Sequence, residues 1–366
     1  MLKRSTLLIA CTSSLWITGC GGTVTPTATS DASTSDTATT PDGGSTTPDT
    51  GSTDSTSVSD STAPHDSTPT DSTAPHDAGP MDAGPAGTVT GELSIGPLHL
   101  NPGDERTVCV VLPLAAARDF VATNITMNLA PGSHHAIAYR STDTTPSPTL
   151  SDCQPLGGVT GGTAPMLIAQ HDGDALELPS GIGLPIAATQ MIKLELHGIN
   201  TTHAALDVTA TVHLSGPDAA HATSLQSADL AFWGTMNIAI PAHSTYSTGI
   251  QFQPGISGTH GFAVTTHQHS LGTDFKVWKS ANGTDVTETS PTIVDNADWA
   301  NPKTFYFSPT IDFTGTEGLA YECQWNNPTS SEVDFGESAL NEMCFLWMYY
   351  YPAKGFDVCL STPCPR

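Results

Sequence analysis

Basic residues are scarce in this chain. Its 366 residues hold 11 Lys and Arg against 36 Asp and Glu, a formal charge of −25. A nucleic-acid binder needs a basic face, and none can be built from this composition. Aromatic residues make up only 7% and charged residues 13%. Residues 21–90 lack Lys, Arg and Glu altogether and contain ten Asp among Ser, Thr, Pro, Gly and Ala. Such a stretch buries too little apolar surface to offset its chain entropy, so it is expected to be a disordered linker. No segment of 12 or more residues has convincing helical periodicity. The patterns HExxH, GxSxG and CxxC are missing, which removes the usual metalloprotease, hydrolase and CxxC zinc readings.

The N-terminus has a short basic stretch, Lys3 and Arg4, and then the apolar segment Leu7–Ile17. A bilayer span takes ~20 residues, so this segment reads as a signal peptide instead. It ends in Ile17-Thr18-Gly19-Cys20, which resembles the bacterial lipobox. That resemblance implies that residues 1–20 are a lipoprotein signal and that Cys20 carries lipid. Gly21, rather than Asp, follows the Cys, which points to the outer membrane of a bacterial envelope. The linker holds a near repeat, Asp60 to Asp66 and again Asp71 to Asp77, as low-complexity tethers do. Anchoring through Cys20 makes the membrane one expected partner.

Residues 91–366 carry nine basic and 26 acidic residues, a formal charge of −17. They exceed one usual core and are expected to form two domains, 91–218 and 219–366. The boundary is placed in Ser215 to Ser224, around Gly216-Pro217. Leu206 to Leu214 alternates apolar and polar residues with period two, the pattern of a half-buried strand. Further strands are expected at Thr107–Leu112, Met191–His197, Leu230–Ile240, Phe262–His269, Phe275–Trp278, Thr304–Phe307, Leu319–Trp325 and Met343–Tyr351. The fold class is therefore all-β, with antiparallel sandwiches or jelly rolls. Six cysteines lie beyond Cys20: Cys109, Cys153, Cys323, Cys344, Cys359 and Cys364. An even number suits an oxidising compartment, and spacing alone does not fix their pairing.

Three clusters carry chemistry. In Gly132-Ser133-His134-His135, adjacent residues of a regular strand point to opposite faces. The backbone must bend for both imidazoles to reach one metal, and Pro131-Gly132 permits that. In His267-Gln268-His269 the i, i+2 spacing puts both rings on one strand face, roughly 6–7 Å apart. The third cluster is Glu342-Met343-Cys344, and His197 stands alone on a strand. A thioether with imidazoles favours copper over zinc or calcium. The remaining histidines, including His99, His171, His213, His221 and His260, lack a partner at ligand spacing and read as surface or satisfied residues.

The order of these clusters resembles the copper type II ascorbate-dependent monooxygenases. The resemblance rests on Cys323-Gln324-Trp325-Asn326-Asn327, Phe335-Gly336-Glu337-Ser338, Asn341 to Phe345 and Tyr349-Tyr350-Tyr351-Pro352, together with the histidine clusters, across about 95–366. It implies two successive antiparallel jelly-roll domains, each with one copper, facing across a solvent cleft. It places an electron-transfer copper on His134, His135 and His197. It places the oxygen-activating copper, and with it catalysis, on His267, His269 and Met343. It also implies Cys109–Cys153 and Cys323–Cys344 bridges, leaving Cys359 and Cys364 to pair locally. The implied activity is hydroxylation of a C–H bond of a small-molecule or peptide substrate, with O2 and with ascorbate as reductant. The chain departs from the family at Glu195 (Gln expected), Gly198 (aromatic expected) and Thr265 (Arg in peptide-hydroxylating members). Those departures keep open a copper-binding lipoprotein without oxygenase activity. Residues 230–275 contain no Lys or Arg, so a substrate carboxylate would lack a cationic partner there, and a neutral or cationic substrate is expected. The aromatic run Phe345–Tyr351 could wall the substrate, although core packing is the commoner use of such a run.

Overall fold

The computed structural model describes residues 87–161 and 163–361. The signal segment, Cys20, the linker up to residue 86 and Cys364 lie outside the described residues. The first strand, Thr88–Leu100, begins inside the stretch assigned to the linker, because Thr88, Val89 and Thr90 pair with Pro217, Gly216 and Ser215. Helix is confined, among the described residues, to one turn at Gly157–Thr160 and a 3-10 turn at Ala219–His221.

The fold is all-β and sandwich-like. One set of sheets uses residues 88–227. Thr88–Leu100, Leu206–Pro217, Asn124–Leu129 and Asp174–Glu177 lie in that order in a four-stranded sheet. A five-stranded sheet runs Ser147–Asp152, Glu105–Pro113, Met191–Ile199, Ser133–Ser141, Ala164–Ala169. A second set uses residues 229–359. Its first sheet runs Thr304–Phe313, Thr259–His267, Phe345–Tyr351, Asp229–Gly234, Asp357–Cys359. The other is built on Gly318–Asn327 and Gly272–Ser280. Among the described residues pairing is antiparallel except where Gln226–Ser227 joins Ile182–Ile186, where Asp229–Gly234 joins Asp357–Cys359, and at the isolated bridge between Phe335 and Glu342.

Local chemistry shifts several expected boundaries. Leu206–Pro217 runs on through Ser215, Gly216 and Pro217, since the flanking strands supply partners to that end. The expected strand Leu230–Ile240 splits in two, and Thr235 Oγ1 turns back to accept from Asn237 N between the pieces. Cys109 is joined to Cys153 and Cys323 to Cys344. Cys359 is disulfide-bonded as well.

The aromatic run Phe345–Tyr351 shows how the two halves meet. Side chains alternate across a strand. Phe345, Trp347 and Tyr349 join an apolar core with Leu194, Ile168 and Leu230, continuous with that of the first half. Leu346, Met348 and Tyr350 point into the second half's own core with Trp233 and Phe313. The run is thus mainly core rather than a substrate wall. Polar links join the same halves. Arg140 donates to Asp229 (3.3 Å), and Tyr306 Oη donates to Ala175 O (3.1 Å) while accepting from Glu177 N (3.0 Å).

Candidate metal centre

The five-stranded sheet of the first half delivers three imidazoles by register. His197 lies directly opposite His135, so both rings share a face, with centroids 5.0 Å apart. The ladder then slips: Gly198 pairs with Ser133, and His134 is the extra residue. Such a bulge sets two residues against one and lets both neighbours turn toward the same side. Gly132, at φ 90°, makes the sharp entry that only Gly adopts readily. His134 therefore joins His135 and His197, with ring centroids at 5.3 and 5.1 Å. Gly198 has a packing reason: a Cβ there would come within 2.9 Å of Leu100.

The second half supplies His267 and His269. The strand ends at His267, so His269 lies in the turn that follows, where Gly272 N donates to His269 O. The rings stand edge-on with centroids 5.0 Å apart, closer than regular strand geometry gives. Glu342 holds that turn. Its buried carboxylate accepts from His269 N (3.0 Å), Leu271 N (2.7 Å) and Trp325 Nε1 (2.8 Å). Burial raises its pKa. Met343 follows it, fully buried, ahead of the strand rather than within it. Replacing Glu342 with Ala leaves three buried donors unpaired at ~1–3 kcal/mol each. Glu342→Ala should therefore lower the melting temperature sharply and loosen His269, with Glu342→Gln intermediate; thermal unfolding of both variants checks this.

The resemblance implies two sets across an open cleft. Here they are contiguous: His134 lies 6.0 Å from His267 and 5.6 Å from His269 between ring centroids. Candidate ligand atoms of His134, His135 and His197 lie within 4.8 Å of one another, and so do those of His134, His267 and His269. The apolar core shared by the two halves holds them closed.

Hydrogen bonds fix which nitrogen is free in three of the five rings. A carboxylate or carbonyl oxygen can only accept, so the facing ring nitrogen must carry the proton. His197 Nε2 donates to Glu105 Oε1 (2.9 Å), leaving Nδ1 buried without a partner. His267 Nδ1 donates to Gln170 Oε1 (2.5 Å) and His269 Nδ1 to Asn341 O (2.9 Å), so Nε2 bears the lone pair in both. His134 Nε2 and both nitrogens of His135 are also buried and unpartnered. Orphaned imidazole nitrogens converging in a buried site, beside a buried thioether, suit copper.

Electrostatics agree. Burial, helped by His197 and His269, holds His134 down to about 3. Burial also keeps His135 and His267 well below the ordinary value and lowers His197 and His269. The rings are therefore neutral and able to ligate at neutral pH. These five groups take up a proton less readily in the fold than when unfolded, where they titrate near ~6.5, so their contribution to stability falls as pH falls. Burial pushes Glu195 up to about 7 and also raises Glu342, Glu337 and Asp295; these carboxyls act in the opposite sense and offset part of the histidine effect. The metal-free protein should accordingly melt at lower temperature at pH 5 than at pH 7. Calorimetry at the two values checks this, and an unchanged melting point contradicts it.

Sequence reasoning missed Glu105 and Gln170. Glu105 also accepts from Ser338 Oγ (3.0 Å) and Ala339 N (2.9 Å), tying the His197 strand to the loop before Met343. No local pattern marks either residue, because each acts on a partner 92 and 97 positions away. Glu195, singled out as a departure, is buried, accepts from Tyr139 Oη (2.9 Å) and Leu156 N (2.6 Å), and lies 4.0 Å from His135 Nε2. Thr265 is buried with its hydroxyl on Thr304 (2.8 Å), supplying no cation. His99, His171, His213, His221 and His260 pair instead with Asp207, Asp174, Glu92, Asp218 and Asp312.

Residues 236–365 match the family model described as copper type II ascorbate-dependent monooxygenase, C-terminal domain. This match supports membership of that monooxygenase family for the C-terminal half of the described chain. His267, His269, Met343 and the Cys323–Cys344 bridge all lie inside the matched segment. No curated protein matches the chain. Among solved structures, the STIV MCP crystal structure is 10% identical, covering 73% of this chain and 97% of that one, with a TM-score of 0.31. PBCV-1 VP54, fitted into a cryo-EM reconstruction of the virophage Sputnik, is 8% identical, covering 71% and 93%, with a TM-score of 0.29.

Proposed function

We propose that this chain is a copper-dependent monooxygenase that hydroxylates a C–H bond with O2 and ascorbate, or a similar one-electron donor. One copper would sit on His134, His135 and His197, and a second on His267, His269 and Met343. The observation that carries this reading is the convergence of five imidazoles, four buried and His134 partly so, whose proton-bearing nitrogens are directed to Glu105, Gln170 and Asn341 or left unpartnered. Copper, when bound, supplies the one-electron redox chemistry that dioxygen reduction needs.

The protein's share is positioning and exclusion of water. Glu105 fixes the His197 ring and Gln170 the His267 ring. Leu156, Ile168, Phe232, Phe345 and Trp347 line a small apolar void beside His135 and His267. Over the whole reaction, one C–H bond and one O2 become one C–OH bond and one water, with two protons and two electrons taken up. Two single-electron oxidations of the donor supply those electrons.

Metal analysis after copper loading should give two ions per chain, and oxygen uptake should depend on both ascorbate and substrate. Near-zero copper rejects the reading. Two coppers without oxygen uptake favour a non-catalytic copper-binding lipoprotein. The same reading takes Cys20 as the lipidated anchor to a bacterial envelope membrane, with the linker holding the domains off its surface. Labelled palmitate should enter the chain and be absent from Cys20→Ala.

A further inference from the structure

We propose that the recess beside Trp299 is the binding site for this chain's substrate, and that it selects an uncharged compound with an aromatic or alkyl group. The inference rests on the monooxygenase reading and adds a site and a substrate class to it. The recess has a volume of about 280 Å³ and opens between the halves. It touches one imidazole from each half, His134 and His269, so a ligand there lies against both sets of candidate ligands.

Its lining is neutral. Besides the two histidines it consists of Gly, Ser, Thr, Ala, Ile199 and Trp299, with no Asp, Glu, Lys or Arg. The recess beside His197, by contrast, is lined by Glu105, Arg106, Asp152 and Glu337. An anion in the Trp299 recess would meet no guanidinium or ammonium, within residues that sum to −17. A cation would face imidazoles that would carry copper, with no lining carboxylate to offset the repulsion.

Two features supply affinity. Trp299 keeps 38% of its surface exposed, unusual for so large an apolar side chain, and its ring can pack on an aromatic or alkyl group. The exposed hydroxyls of Thr201 and Ser270 in the lining can serve one hydroxyl or carbonyl of a neutral ligand. Thr201 and Trp299 belong to different halves, so the ligand is gripped only when the halves are together.

The test uses three compounds of one shape and different charge: 2-phenylethanol, 2-phenylethylammonium and phenylacetate. Binding to the copper-loaded chain is measured by calorimetry without reductant. 2-Phenylethanol should bind at least about tenfold more tightly than either charged analogue. Trp299→Ala should weaken it by about tenfold, Trp299→Phe by no more than about threefold, and copper content should stay unchanged. Equal affinity in Trp299→Ala, or tighter binding of a charged analogue, overturns the proposal. Adding ascorbate and O2 separates the two readings. Trp299-dependent binding with no hydroxylation of any compound upholds the recess as a neutral-ligand site and defeats the oxygenase reading. Hydroxylation indifferent to Trp299 does the reverse.

Discussion

Replacing Met343 with Ile is expected to abolish hydroxylation while the His134, His135, His197 set still takes copper. The exchange keeps apolar bulk, and swaps of similar volume usually cost less than ~1.5 kcal/mol, so the fold should survive. What is lost is the thioether, the one soft donor in the proposed second site, and with it the preference for Cu(I). Losing even an outer partner of a metal ligand typically costs ~10–100-fold, so losing the ligand should cost about 100-fold or more in kcat/KM. Copper content should fall from two toward one. The measurement is oxygen uptake with metal analysis on the same sample. Full turnover by Met343→Ile would mean that this Met is core packing only.

His134→Ala should be more damaging than His135→Ala, although the two residues are adjacent. The candidate nitrogens of His134 lie within 4.8 Å of those of His135 and His197, and equally of those of His267 and His269. His135 belongs only to the first set. Removing His134 should thus weaken copper binding at both sites, with turnover lost by about 100-fold or more. Removing His135 should spare copper at His267, His269 and Met343. Spectroscopic titration of copper into the two variants distinguishes them. Equal loss, confined in both to one copper, would show that the sets act independently and that their contiguity has no bearing on metal binding.

Much of the fold was legible because strand alternation is a local signal. Leu206 to Leu214 shows period two in the sequence, and its buried residues, Val208, Ala210, Val212 and Leu214, are those that the alternation selects. The candidate histidines could be picked out for a similar reason: His134-His135 and His267-Gln268-His269 are short-range spacings, and the family signature runs through Met343.

Other features had no local signal. His134 and His135 share a face because the ladder between two strands slips at Gly198, and register is a relation between strands. Each half by itself gives two or three histidines. Only apolar packing of Phe345, Trp347 and Tyr349 against the first half's core brings all five rings together. The roles of Glu105 and Gln170 follow from partners about 90 residues away or more, and no period of 2 or 3.6 reaches that far. Trp299 sits in a loop, where pattern carries least information, and it becomes a candidate only because folding sets it beside His134 and His269 with no charge between. The sequence by itself determined the strands and the donor atoms, since both depend on residue type and short-range spacing. The tertiary structure decided which donors meet, which nitrogens are free and what can approach them, because those depend on long-range register and on burial.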